Sequence, residues 1–274
     1  MTSNTEEKKR VLPPVTLDES YRLCQQRVHE DLGSHRWILG NLAREQRPHV
    51  YAVLALSVRS ARLCDIHLGC NARLELLDDL REDFRNNFME EESTDQFPAL
   101  LDTRNRFEIP EQYLHDIVAT ADMCVRIDRF SSFDQWLQLG CRMGGGTLLS
   151  LIPVIGAEHK DYEAAAMSCG QAIWLTHLLR DICDEIQKLE YFLPTEDLDE
   201  FGVDLSKHNP LRPDKALLRL IRLNVERIEK LFEEGGQLVR YLSRDGQRIL
   251  KSLISMYWTL LMKIKLHPEQ VLQS

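Results

Sequence analysis

The residues best equipped for chemistry are gathered between Ala164 and Pro194, in AAAMSCGQAIWLTHLLRDICDEIQKLEYFLP. The first turns of this segment are apolar on almost every side, which predicts a helix buried inside the protein. Arg180, Asp181, Asp184 and Glu185 then arrive together. On a continuing helix Asp181 lies one turn from both Asp184 and Glu185, so three carboxylates share a face. Carboxylates at the end of a buried helix are costly unless paired or bound to metal. Oxygen ligands of this kind suit a hard cation, and Mg²⁺ is commonly held by one or two carboxylates together with substrate phosphates. The plainer alternative is a helix that emerges into water with Arg180 paired to Asp184. The apolar run before the charges and the Tyr-Phe-Leu-Pro stretch after them weigh against it.

Such a helix needs a large core around it. The chain has 274 residues, 43% of them apolar, with 13 Gly and 10 Pro. That composition supports a folded domain and excludes a collagen-like or linker-rich chain. With 34 basic and 43 acidic residues the formal charge is −9, which argues against general nucleic-acid binding. No apolar run is long enough for a transmembrane helix, and MTSNTEEKKR is followed by no secretory h-region. Peripheral membrane contact stays open, and the expected location is cytoplasmic. The seven cysteines form no CxxC pair; an odd, dispersed set suits free thiols in a reducing compartment rather than disulfides or zinc.

Apolar spacing is helical almost throughout, with no strand alternation. Residues 1–15 read as a flexible N-terminal tail and 16–274 as one all-α domain of eight to ten helices. Thr16 and Glu19 form a capping pair for a helix to about Leu32. Further helices are predicted from Pro48 to Gly69, Ala72 to Phe88 and Pro110 to Ile127. Ser132 and Gln135 open another to about Leu151, interrupted by Gly144-Gly145-Gly146. One long helix is predicted over 161–190, and two more over 214–234 and 246–266. Met89 to Gln96 reads as an acidic loop.

At the acidic helix the sequence resembles the squalene/phytoene synthase family. The family's second aspartate segment reads roughly QLTNILRDVxED, then GRxYLP, an acidic turn and Gly-Val; this chain has WLTHLLRDICDEIQKLEYFLPTEDLDEFGV. Leu175-Thr176, Leu178-Leu179-Arg180-Asp181, Glu185, Tyr191, Leu193-Pro194 and Gly202-Val203 stand where the family has them. Weaker likeness covers most of the chain, including Arg47 to Ala52, the stretch FSSFDQWLQLGCRMGGGTLL after Asp122, and Tyr257 with LLMKIKLHPEQVL. The resemblance implies a class I prenyl-synthase fold, all-α around a central cavity. Two aspartate segments would face each other there and hold isoprenoid diphosphates through Mg²⁺.

The departures point to altered chemistry. The family's first motif is DxxxD, but here Asp65 has Ala61 four residues before it and Gly69 four after, with Arg59, Arg62 and His67 nearby. The family's Gln and Asn in the second segment are Trp174 and His177, and the aromatic residue of the N-terminal substrate site corresponds to Trp37. By resemblance, Asp181, Asp184, Glu185 and Asp65 would ligate Mg²⁺, in fewer ions than the family norm. Arg180 would contact phosphate or orient a carboxylate, and Arg59, Arg62 and Tyr257 would bind substrate. Trp37 and Trp174 would wall the acceptor side, and His177 is a candidate proton acceptor beside Tyr191. The implied partners are an allylic prenyl diphosphate and a small-molecule acceptor. Three classes remain open: transfer to an acceptor without a diphosphate, divergent head-to-head synthesis, and a non-catalytic family member.

Three further features take structural readings. Asp78-Asp79 with Glu82-Asp83 reads as a solvated face interleaved with Arg81 and Arg85. Gly144-Gly145-Gly146 lacks the strand and Lys-Ser/Thr of a phosphate loop, and is read as a kink or a point of close approach. Cys64 and Cys183 are read as small apolar residues.

Overall fold

Thr16 caps the first helix as its spacing predicts: Oγ1 accepts the Glu19 amide at 3.3 Å, and α1 runs Leu17–Asp31. The computed structural model describes residues 15–31, 39–64, 70–89, 97–127, 129–182, 193–207 and 214–272. Next comes α2, Arg47–Arg62, with Pro48 in its first turn, where a missing N–H costs nothing. It ends seven residues before the predicted Gly69. The amides of Leu63 and Cys64 turn back to the carbonyls of Ser60 and Ala61, and Cys64 is joined to Cys124 in a disulfide with Cα atoms 4.9 Å apart. That corrects the expectation of free thiols and of Cys64 as a merely apolar residue. The pair was invisible to spacing because its members are 60 residues apart. Chain-entropy reasoning gives such a closure about 4 kcal/mol. Cys24, Cys141 and Cys169 are free thiols, and Cys183 lies outside the described residues.

Helices α3 (Cys70–Met89) and α5 (Glu111–Arg126) match prediction closely. Between them α4, Phe97–Phe107, is a helix the apolar spacing did not single out. Ser132 caps α6, Phe133–Gly140, and Gln135 Oε1 reaches back to the Ser131 amide at 2.8 Å. A π-helical turn, Cys141–Gly145, leads without a break into α7, Gly146–Ile155. Then come α8 (Glu163–Arg180), α9 (Thr195–Phe201), α10 (Lys215–Gly235) and α11 (Arg244–Leu266). Among the described residues there is no strand; an isolated bridge joins Ala157 and Leu242. No helix is long and apolar enough to cross a membrane.

Helix α8 is the axis of this arrangement. Its first half, with Ala166 and Cys169, belongs to an apolar cluster shared with α1 to α5 and α7. Its second half, with Leu175 and Leu179, belongs to a cluster shared with α6, α10 and α11. Ile173 and Trp174 pack against both. Each fully buried leucine contributes about 1.5–3 kcal/mol by leaving water.

The glycine run explains how α8 fits so closely. A methyl group on Gly144 would collide with the Gly170 carbonyl and approach Trp174 Cβ to 2.9 Å. On the opposite side a Cβ at Gly235 would stand 2.5 Å from Cys169 Cα. Backbone meets backbone on both flanks, which confirms close approach as the role of the run. Beyond α8 the chain is held by Asp197, 1% exposed, whose carboxylate takes two bonds from Arg227 at 2.6 and 3.0 Å. The Arg227 guanidinium also lies 4.1 Å from the Phe133 ring centroid.

Candidate active site

The last turn of α8 carries Trp174, His177 and Arg180, followed by Asp181. The helix stops at Arg180, and Asp181 takes φ −93° and ψ 10°, in the sparsely populated bridge region where site residues often sit. The helix predicted over 161–190 starts at Glu163 and is interrupted at Asp181; Ile182 is again helical, and residues 183–190 lie outside the described residues. Asp184, Glu185 and Tyr191 lie outside the described residues, as do Trp37, Asp65 and His67.

Arg180 and Asp181 form a two-pronged pair. Nε donates to Oδ1 and Nη2 to Oδ2, both at 2.6 Å. The hydrogen bonds that the guanidinium donates to Asp181 raise its pKa above the ordinary value. Asp181 is a partner of Arg180; the Asp184 of the plainer reading lies outside the described residues. Both side chains remain partly exposed, so the charges stand at the wet end of an otherwise buried helix.

Three residues before Arg180, His177 meets Tyr257 of α11 in a short hydrogen bond between Nε2 and the phenolic oxygen. Their ring centroids are 4.8 Å apart. Tyr257 is 5% exposed. Burial pushes its phenol pKa well up, with Arg180 pulling it back and Asp181 adding to the rise. The phenol therefore keeps its proton and is able to donate to Nε2, which leaves the imidazole proton on Nδ1. Trp174 completes the group, its ring 6.2 Å from that of His177. Its Nε1 is buried and has no hydrogen-bond partner among the described residues.

Arg59 and Arg62 stand apart from this group, in the last turn of α2. Arg59 bonds Asp83 of α3 at 2.6 Å, and Arg62 bonds Asp31 of α1 at 2.9 and 3.1 Å. On the acidic face of α3, Asp78, Asp79 and Glu82 are exposed as expected, while Asp83 is half-buried. Arg81 adds a bond to Asp122 of α5 at 2.5 Å. Among the described residues no three His, Cys, Asp or Glu side chains cluster as a metal site.

Sequence reasoning missed a second polar centre. The Tyr21 hydroxyl donates to Asp102 at 2.6 Å and lies 2.8 Å from His49 Nδ1. Thr103 Oγ1 is 3.0 Å from both Tyr21 and His49. This network ties α1, α2 and α4 together, and burial is the main reason the His49 pKa is lowered. Its members are single polar residues on three separated helices, so no local spacing marks them.

The family model described as squalene/phytoene synthase matches residues 36–274. A phytoene synthase of Mycobacterium bovis is 25% identical over 259 residues, spanning 93% of this chain and 85% of its own. A solved dehydrosqualene synthase superposes with a TM-score of 0.81 at 20% identity, over 93% of this chain and 88% of that one. A squalene synthase from Alicyclobacillus acidocaldarius gives 0.80 at 21%, over 93% and 96%. At those identities the two structures establish the fold: the all-α arrangement of the isoprenoid synthases.

Proposed function

The chain belongs to the squalene/phytoene synthase family, and from that premise we propose a prenyltransferase that ionises one allylic isoprenoid diphosphate. The prenyl group then forms a C–C bond with an acceptor that carries no diphosphate, an electron-rich aromatic ring suiting the residues best. The observation that carries this reading is a contrast between the ends of two helices. At the end of α8, Arg180, Asp181, His177 and Tyr257 are grouped, with charges partly exposed. At the end of α2, Ala61 stands one turn before Asp65, and Arg59 and Arg62 are engaged by Asp83 and Asp31. One diphosphate station is well furnished and the other is not.

The oxygen donors of Asp181, with Asp184 and Glu185, fit a hard cation, and Asp65 would add a ligand from the other segment. Mg²⁺ held there would neutralise charge building on the leaving group. Arg180 would turn its fork from Asp181 to the diphosphate, a planar match for phosphate oxygens. As the C–O bond breaks, the electron pair leaves with diphosphate and an allylic cation remains. The acceptor's π electrons close the new bond between walls that include Trp174 and Trp37. The ring proton then passes to the Tyr257 oxygen while the Tyr257 proton moves to His177 Nε2. By the resemblance of its motif, Tyr191 would complete the retained set.

The names of the curated relatives favour a second reading, head-to-head coupling of two prenyl diphosphates, and the missing half of the first motif favours a third, a non-catalytic member. Incubation with dimethylallyl, geranyl, farnesyl and geranylgeranyl diphosphates, with and without aromatic acceptors and Mg²⁺, separates them. A prenylated acceptor supports the first. A C30 or C40 product from donor alone supports the second. Absence of both diphosphate release and binding supports the third.

A further inference from the structure

Cys64 and Cys124 join two helix ends at a seam in the core. Their neighbours along α2, from Val50 to Leu63, and along α5, from Leu114 to Val125, belong to the first apolar cluster. The two cysteines themselves belong to the second cluster, which contains Leu175, Leu179, Ile182 and Tyr257. The bridge therefore fastens the closing turns of α2 and α5 to the half of the core that carries the candidate site.

Other links converge on the same place. Arg73 of α3, itself nearly buried, donates to the Cys124 carbonyl at 2.6 Å. Arg59 and Arg62, within the last turn and a half before Cys64, reach to α3 and α1. Cys124 thus receives one tether through its sulfur and another through its carbonyl oxygen.

We propose that the Cys64–Cys124 bridge is a reversible redox staple, closed by oxidation and opened by a low-molecular-weight thiol such as glutathione, which loosens the end of α2 when it opens. Both oxidation states are accommodated. Cys64 Sγ lies 3.8 Å from the Ser60 carbonyl oxygen one turn back, so the reduced thiol has an acceptor without leaving its place. Cys64 also sits in the turn beyond the helix, 8% exposed against 5% for Cys124, and helix ends open more readily than middles. Both cysteines are buried, so an incoming thiol reaches the Cys64 sulfur when the turn beyond α2 opens. A glutathione thiolate attacks it, the S–S bond breaks, and the electron pair leaves on Cys124, which takes a proton. A second glutathione attacks the mixed disulfide, releasing glutathione disulfide and the Cys64 thiol. Two electrons and two protons pass to the protein. Among the described residues the free thiols do not confuse the chemistry: burial pushes Cys24 and Cys169 up to about 12 and raises Cys141.

The inference is independent of the proposed function, and its test uses no substrate. The full chain is equilibrated natively with glutathione buffers, trapped by alkylation and mapped by mass spectrometry. Melting temperature and amide exchange over residues 59–64 are followed in parallel. The expected result is a linked Cys64–Cys124 peptide that disappears reversibly as the buffer becomes reducing, with a melting point several degrees lower and faster exchange in those amides. The Cys64→Ser, Cys124→Ser double variant should show the reduced behaviour at every buffer ratio. Absence of the linked peptide in oxidising buffer would overturn the proposal. So would a link that yields only after unfolding, or reduced and oxidised forms that melt and exchange alike.

Discussion

The phenolic oxygen of Tyr257 and Nε2 of His177 share a hydrogen bond that joins α11 to the last turn of α8, three residues before Arg180. Tyr257 is buried and His177 lies one turn from Trp174, so the pair links the two helices beside the Arg180–Asp181 pair.

Tyr257→Phe keeps the ring packing and removes only the hydroxyl. The expected loss of stability is about 1 kcal/mol, read by chemical denaturation. If Tyr257 relays the proton, turnover with an aromatic acceptor should fall ten-fold or more while donor binding stays within two-fold. Equal losses in binding and turnover would assign Tyr257 to substrate binding alone.

Gly144→Ala places a methyl group against the Gly170 carbonyl and Trp174. Overpacking of this kind costs about 1–3 kcal/mol, and because both partners are backbone or close to it the upper end is expected. Differential scanning calorimetry should show the drop, which Gly202→Ala serves to bracket. Gly202 faces open space but takes a positive φ of 65°, so its cost is backbone strain alone.

Asp197→Ala leaves Arg227 without its carboxylate. Removing one partner of a buried pair costs about 3–5 kcal/mol, and the partial exposure of Arg227 points to the lower figure. Replacing both residues with apolar ones should recover much of it in urea titrations.

Alkaline pH should weaken the fold from about pH 9 upward. The Cys24 and Cys169 thiols are raised from 9.0 to about 12 by burial, so the folded chain keeps protons that the unfolded chain releases. Between those values stability falls by about 1.4 kcal/mol per pH unit per group. Below pH 9 the contribution is fully present. Denaturation midpoints at pH 8, 9 and 10 check the slope, and Cys24→Ala should flatten it.

How legible this was from sequence depends on the range of the interaction. The caps at Thr16 and Ser132, and most of the helix limits, follow from neighbours in the chain and could be read directly. α4 escaped because its eleven residues adjoin an acidic stretch that reads as loop. The interruption at Asp181 escaped because neither it nor its neighbours is a helix breaker; a side-chain pair between adjacent residues accompanies it instead. The Cys64–Cys124 bridge and the Tyr21–His49–Asp102 network join residues on separate helices, which only packing brings together. Within the site, motif spacing found Arg180 and Asp181, and the structure supplied their mutual pairing.

Diphosphate release from allylic donors, compared between the wild-type chain and Asp181→Asn with Mg²⁺ present, tests the central claim most directly. The account predicts release from a donor of one preferred chain length in the wild type, at least a hundred-fold slower in the variant. The same donor should protect the wild-type fold by about 2.7 kcal/mol at a hundred-fold excess over its dissociation constant. Release unchanged in Asp181→Asn would contradict the assignment of the site. A well-folded wild-type chain that neither releases diphosphate from any donor nor gains stability from one would contradict the enzyme itself.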